Sequence, residues 1–442
     1  MPLVGLGRRS SRRSCIYLAG GNSDRARHSR QTGSCCWEET ISTFVEYWGV
    51  GATTSSSLPM TTSDICGHLL ADWVPSLPAA VGSSFIGWPP YLLQVANVSK
   101  TDLLAVRAEA ARSERQWKSF LSWMLGVAGT RHVLASEGYR WVAPVSAFYP
   151  GAVQAVDLSA WHPSFPRSVL STTRRPRSRC RLCPDYLALR STASRRTGLG
   201  YQWAVAEAKG TRLCLTNTRT CPPAWSTQAR NILVTLNGSI LTIPRHLVVA
   251  TRVHPSGANL RTRRLQLRAW NRRNEVEESN LPSEAAVEIA AANLFGLFRG
   301  LRLRANANAI AFSVQARTER REQRLRESSR INAARLANLA DDELRRRTSK
   351  SGIRADGRTA TVMSIETELG EIDVELAEPV ITIARELLQA EDAGYAAAVL
   401  QKADLQLDVW ESSRRPTKIE DRKVVLPFGV ELRLPQEFEP RR

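Results

Sequence analysis

Long hydrophobic runs are missing from this 442-residue chain. No uninterrupted apolar stretch reaches about 18 residues, so no membrane-spanning helix is expected. The nearest candidate, 68–96, is broken by Asp72, Pro75, Pro78, Pro89 and Pro90. Cysteine is scarce too. Eight residues (Cys15, Cys35, Cys36, Cys66, Cys180, Cys183, Cys214 and Cys221) are too few for a disulfide scaffold. The apolar segment 15–19, after Arg8, Arg9, Arg12 and Arg13, is too short for the core of a signal peptide. Together these features predict a cytoplasmic protein with reduced thiols. The six His are scattered, and none stands in an HExxH or nucleophile-elbow setting. Neither Cys/His nor Ser/His/Asp catalysis is therefore supported. No P-loop and no GxGxxG occurs, which argues against ATP use within the chain.

Acidic residues are outnumbered. There are 42 Asp and Glu against 61 Lys and Arg, giving a net charge of +19 and a pI of about 10.2. Such an excess favours polyanion partners, nucleic acid above all. An incidental pI in an Arg-rich proteome is the bland alternative. A membrane-surface role would need an apolar helix face opposite the Arg residues, and the basic stretch 317–347 lacks one.

Apolar content of 43% is enough for a packed core. Residues 1–60 are rich in Arg, Ser, Gly and Thr and are expected to be poorly ordered. Residues 61–99 are apolar but interrupted by proline. The segment 101–125 is the first convincing helix, capped by Thr101 or Asp102, with Leu103, Trp117, Phe120, Leu121 and Met124 on its apolar side. Short strands are expected at 139–148, 153–158, 182–189, 201–208, 240–251 and 264–270, with a helix at 224–234. A polar linker at 272–283 leads into one or two long helices over 283–347. A small α+β unit at 357–442 closes the chain, with strands at 359–366, 371–376 and 423–434 and a helix at 380–391.

One constellation carries chemistry. Pro184-Asp185 opens a short apolar strand. After a 21-residue gap, Glu207-Ala208-Lys209 closes the next strand, Trp203-Ala204-Val205-Ala206. Residues two apart on a strand face the same side, so Glu207 and Lys209 project together. If the strands pair, Asp185 stands beside them. Two converging carboxylates can hold a hard cation such as Mg²⁺, and Lys209 can orient or help deprotonate an attacking water. The lysine itself is notable, because the first 349 residues hold only Lys100, Lys118 and Lys209 among dozens of Arg. A compact ammonium with a movable pKa suits water activation better than a guanidinium. The bland alternative makes Glu207 and Lys209 an exposed ladder pair and Asp185 a turn cap.

These residues resemble the PD-(D/E)xK nuclease superfamily. The resemblance covers about residues 100–270 and implies an α/β, restriction-endonuclease-like core. In that fold a mixed central sheet is flanked by helices, with the metal at the sheet edge. It implies a Mg²⁺-dependent nuclease acting on DNA, with Mn²⁺ as a substitute, in restriction, phage defence or repair. Asp185 and Glu207 would bind metal, Lys209 would position water, and Gln228 on the following helix would act beside them. An acidic residue upstream, Glu109, Glu114 or Glu137, is expected to complete the site. The resulting domain reading is a basic segment at 1–60, a nuclease core at 61–272, a basic helical segment at 283–347 and the unit at 357–442.

Other signals are weaker. Cys180 and Cys183, with Cys214 and Cys221, form a candidate Zn²⁺ or iron–sulfur set, although the second pair is widely spaced. Arg clusters at 174–181, 190–196 and 261–273 are candidate DNA-backbone contacts. Trp203 and Trp270 read as core. The helices of 283–347 are a candidate surface for a homodimer or a partner subunit. The rival to a nuclease is a non-catalytic nucleic-acid-binding or assembly protein on the same scaffold.

Overall fold

A computed structural model describes residues 41–49, 52–60, 62–76, 115–150, 155–161, 184–194, 198–211, 221–252, 266–273, 281–321, 326–353, 359–367, 370–390, 392–412, 423–426 and 428–433. Strands β1 (Ile41–Gly49) and β2 (Ala52–Met60) form an antiparallel hairpin. This corrects the expectation of an unstructured 1–60 for its last part. The Thr-rich start of β2 suits an extended chain as well as a loop. Helix α1 (Thr62–Ser76) follows and meets its first proline, Pro75, only in its last turn.

Helix α2 (Arg115–Ser136) continues well past the expected end at 125, and residues 101–114 lie outside the described residues. Gly126 and Gly129 weaken the helical signal in that continuation. Gly126 has a packing reason: a Cβ there would lie 2.5 Å from the Gly210 nitrogen and 2.8 Å from the Lys209 carbonyl carbon. A Cβ on Gly210 would in turn lie 1.8 Å from the Ser122 oxygen. Helix and strand backbones touch here because both positions lack a side chain.

The next elements are β3 (Trp141–Pro144), a 3₁₀ turn (Val145–Ala147), β4 (Phe148–Pro150), β5 (Ala155–Trp161), β6 (Tyr186–Ser194), β7 (Gly198–Thr211), α3 (Pro223–Arg230), β8 (Leu233–Leu236), β9 (Ser239–Leu241), β10 (Arg245–Arg252) and β11 (Gln266–Arg273). Two expected strands are split. Residues 139–148 break at the 3₁₀ turn. Residues 240–251 break at Pro244, which has no N–H to give to a ladder.

The central sheet has the order β11-β10-β7-β6-β3 and is mixed. β7 pairs antiparallel with β6 and parallel with β10, and the outer pairs, β3 with β6 and β10 with β11, are antiparallel. Val133 and Leu134 of α2 pack on one face, against Tyr186, Ala188, Ala204, Ala206, Leu247 and Val249. The other face carries Trp141, Leu187, Leu189, Trp203 and Val205 and joins the main core. A second, smaller sheet runs β4-β5-β8-β9.

Residues 283–347 form three helices: α4 (Ser283–Gly300), α5 (Arg304–Arg321) and α6 (Arg326–Arg347). α4 is buried along nearly its whole length, and its Asn293 donates to the Val142 carbonyl of β3 at 2.7 Å. It is therefore interior packing rather than the partner surface expected of this region. Glu343 of α6 caps α5, accepting the Ala305 N–H at 2.8 Å and the Asn306 N–H at 3.1 Å.

The C-terminal sheet has the order β12-β13-β14-β16-β15 and is antiparallel throughout. Its strands are β12 (Thr348–Ile353), β13 (Thr359–Thr367), β14 (Gly370–Leu376), β15 (Lys423–Leu426) and β16 (Val430–Arg433). Helices α7 (Glu378–Gln389) and α8 (Ala393–Ser412) lie between β14 and β15. The expected strand 423–434 is two strands folded at Phe428 and Gly429. One apolar cluster runs from Ile65 to Leu432, so the central sheet, α4 and the C-terminal elements share a core. Among the described residues no helix is long and apolar enough to cross a membrane.

Candidate functional site

The site is set by alternation along β7. Ala204, Ala206 and Ala208 pack on the α2 side, while Trp203 and Val205 face the main core. Glu207 and Lys209 fall on the same parity as Trp203 and Val205, and an ion pair joins the Lys209 ammonium to Glu207 Oε1.

Asp185 precedes β6, whose first residue, Tyr186, pairs with Ala206. The Asp185 N–H donates to the Ala206 carbonyl at 3.0 Å, and its own carbonyl accepts from Val145 at 2.9 Å. Its carboxylate accepts the Ala208 N–H at 2.8 Å. These bonds set Asp185 beside Glu207.

Helix α3 starts at a proline and rests on β10 and β11. Ala229 and the half-buried Trp225 pack with Val248, Ala250 and Trp270. In register, Val248 stands opposite Glu207 and Ala250 opposite Lys209, so α3 lies over the lysine. Its Gln228 Oε1 accepts from Lys209 Nζ at 2.8 Å. The structure thus brings together all four residues that the sequence singled out: Asp185, Glu207, Lys209 and Gln228.

Charge does not balance at this place. Two carboxylates share one ammonium, and Glu207 is only 1% exposed. Burying an ion costs several kcal/mol unless it is well paired. Burial, then the charge of Asp185, pushes the Glu207 carboxyl up to about 8, against the pull of Lys209. Burial pushes Asp185 up to about 6, opposed by the Ala208 N–H and Lys209 and reinforced by Asp72. Neither carboxylate can donate a hydrogen to the other, so Glu207 Oε2 is buried without a hydrogen-bond partner unless a proton bridges Glu207 and Asp185. A proton or a cation would settle the surplus negative charge, and a hard divalent cation fits an all-oxygen pair with an orphaned oxygen. Among the described residues no group of three or more His, Cys, Asp or Glu side chains is gathered for a metal. Two carboxylates suffice for Mg²⁺, which keeps much of its water and takes further oxygens from substrate phosphates.

The acidic neighbour of this pair is one the sequence reading missed. Asp72 of α1 is 5% exposed, acts electrostatically on Asp185 and receives Arg131 Nη2 at 3.1 Å. Arg131 also lies over the Tyr186 ring at 5.1 Å. The signal available was an Asp at helical spacing from the buried Ile65 and Leu69, hidden by the proline-rich stretch after it. Of the upstream candidates, Glu137 is taken by Arg245 at 2.6 Å, and Glu109 and Glu114 lie outside the described residues.

Arg190 is absorbed structurally rather than presented to a phosphate. It binds Gln202 Oε1 and the Glu137 carbonyl and lies over Tyr139. Arg268 is likewise buried, beside Trp270. The Arg cluster at 174–181 lies outside the described residues, as do Cys180, Cys183 and Cys214. Cys221 is half-buried, and burial pushes its thiol up to about 11. Trp203 and Trp270 are core residues, as expected. No family model, curated protein or solved structure matches the chain.

Proposed function

We propose that this chain is a divalent-metal-dependent DNA phosphodiesterase with a restriction-endonuclease-like core. The observation that carries the reading is the buried Asp185–Glu207 pair with Lys209 on its edge and an orphaned oxygen on Glu207. The mixed sheet flanked by helices agrees with what the PD-(D/E)xK resemblance implies. The net charge of +19 supplies sequence-independent attraction to phosphates.

Asp185 and Glu207 are the residues that would hold Mg²⁺, or Mn²⁺ in its place. A bound cation would supply charge neutralisation at a scissile phosphate and acidify a water. The Ala208 N–H keeps Asp185 turned towards Glu207. Lys209, as the ammonium paired with Glu207, orients the attacking water, whose proton leaves to solvent while the departing ester oxygen takes one up. Gln228 fixes the lysine through its amide oxygen. The water oxygen forms a new bond to phosphorus as one ester P–O bond breaks.

Lys209→Ala tests this against the rival binding-only reading. A nuclease loses metal-dependent cutting in this variant and keeps DNA binding. A binding module has no cutting to lose.

A further inference from the structure

Lys209 is not the last cation on its face of the central sheet. β10 runs parallel to β7, with Ala250 opposite Lys209 and Arg252 opposite Thr211. Paired residues share a face, and so do residues two apart on one strand. Arg252 therefore stands on the face that carries Glu207 and Lys209. The opposite face confirms this parity. A Cβ on Gly129 of α2 would lie 2.2 Å from Thr251 Oγ1, so Thr251 turns towards α2 and Arg252 away from it. Spacings of about 4.8 Å across a sheet and about 6.6 Å along it put the Lys209 and Arg252 Cα atoms roughly 8 Å apart. Arg268 of β11 pairs with Ala250 and brings a second guanidinium to the same face. It is buried and lies over the Trp270 ring at 5.9 Å, whereas Arg252 is half-buried and ends its strand.

The site opens towards Arg252. Along β7 the side chains go from 1% exposed at Glu207 to 21% at Lys209. The C-terminal ends of β7 and β10 meet at that same edge of the sheet. A polynucleotide that places one phosphate at Lys209 and leaves over these strand ends carries its next phosphate to Arg252. The Lys209 charge is already engaged by Glu207, and Asp185 adds a second carboxylate that repels a polyanion. A guanidinium beside them offsets this repulsion and holds a phosphate with two parallel N–H donors.

We propose that Arg252 holds the backbone phosphate next to the scissile one, with Arg268 behind it as a buried supporting charge, an inference that rests on the nuclease reading of the Asp185–Glu207–Lys209 site. It makes the substrate a polynucleotide strand rather than a lone phosphodiester.

The test compares wild type, Arg252→Ala and Arg252→Lys on a single-stranded DNA oligonucleotide and on bis(p-nitrophenyl) phosphate, which has no second phosphate, in Mn²⁺. Arg252→Ala is expected to lower kcat/KM for the oligonucleotide about tenfold more than for the small ester, and Arg252→Lys to recover part of that loss. Fluorescence anisotropy of the labelled oligonucleotide with the full chain in EDTA gives a second readout. The slope of log K against log salt should fall by about 0.7 in Arg252→Ala, the contribution of one phosphate contact. Thermal unfolding of each variant shows whether the fold is intact, and Arg252→Gln replaces Arg252→Ala if the latter unfolds. An equal loss on both substrates, or an unchanged salt slope in a folded variant, overturns the proposal. Binding in EDTA needs no cutting, so a failure of the nuclease reading registers separately, as absent metal-dependent hydrolysis of both substrates by wild type.

Discussion

Asp185 accepts the main-chain N–H of Ala208, the residue between Glu207 and Lys209, at 2.8 Å. One hydrogen bond thus ties the first acidic residue to the backbone that carries the other two groups. The bond adds to the antiparallel pairing of β6 with β7, whose register already sets Asp185 beside the Ala206–Ala208 segment. It also favours the ionised form of Asp185, against the burial that raises its pKa.

Asp185→Asn and Glu207→Gln keep the shape and remove a buried charge. Each is expected to reduce metal-dependent cutting by at least about a hundredfold. Glu207→Gln should also stabilise the metal-free protein at pH 8 by on the order of 2 kcal/mol, since ionising a carboxyl held near 8 is a cost of folding. Denaturant unfolding in EDTA beside a cleavage assay checks both. Loss of stability in Glu207→Gln would contradict the charge argument.

Stability of the metal-free protein should fall as pH rises. Asp185 and Glu207 are held at about 6 and about 8, above their unfolded values. Between about pH 4 and pH 8 the folded state therefore holds more protons than the unfolded chain, so the stabilisation present at low pH is lost on going up. Asp404, which burial pushes up to about 6 beside Arg140, adds to the same trend. Mg²⁺ must displace those protons, so its stabilising effect should grow with pH. Melting curves from pH 5 to 8.5, with and without Mg²⁺, read this out. A Mg²⁺ effect larger at pH 5 than at pH 8 would count against a carboxylate site.

Much of the site was legible in the sequence because strand parity is rigid. Once 203–209 is a strand, Glu207 and Lys209 must share a face, and the rarity of Lys marks the position. The helix that brings Gln228 was legible in place but not in length: the expected 224–234 ends at Arg230, and its apolar tail, Leu233 and Val234, opens the strand Leu233–Leu236. Asp72 was not legible, because its place beside Asp185 depends on how α1 packs on α2, which no local pattern encodes. The end of α2 was hidden for a similar reason. Gly126 and Gly129 read as helix weakeners until the strand behind them is known. The basic helices of 283–347 were misjudged at their start, where an Ala-rich segment is interior to the fold.

Lys209→Arg should not rescue Lys209→Ala, although it keeps the charge. A planar guanidinium does not fit the compact ammonium's place between Glu207 and Gln228. Gln228→Ala should lower kcat about tenfold and leave DNA affinity intact, because a hydrogen bond to a charged group is lost. Single-turnover cleavage with a separate binding titration distinguishes these effects.

Gly126→Ala should destabilise the protein by about 3 kcal/mol, since the new methyl meets the Gly210 backbone rather than a yielding side chain. Residual folded protein should cut more slowly, because the Lys209–Gly210 peptide must shift. Equal stability of wild type and variant would mean that helix and strand are not in this contact.

The most direct test of the central claim is incubation of supercoiled plasmid and of linear single- and double-stranded DNA with wild type and Asp185→Ala, in Mg²⁺, Mn²⁺ or EDTA. Cutting by wild type in either metal, absent in EDTA and absent in the variant, is the expected result. Salt-sensitive DNA binding with no cutting of any substrate by wild type, or equal cutting by wild type and Asp185→Ala, would contradict the assignment of Asp185, Glu207 and Lys209 as a metal-dependent nuclease site.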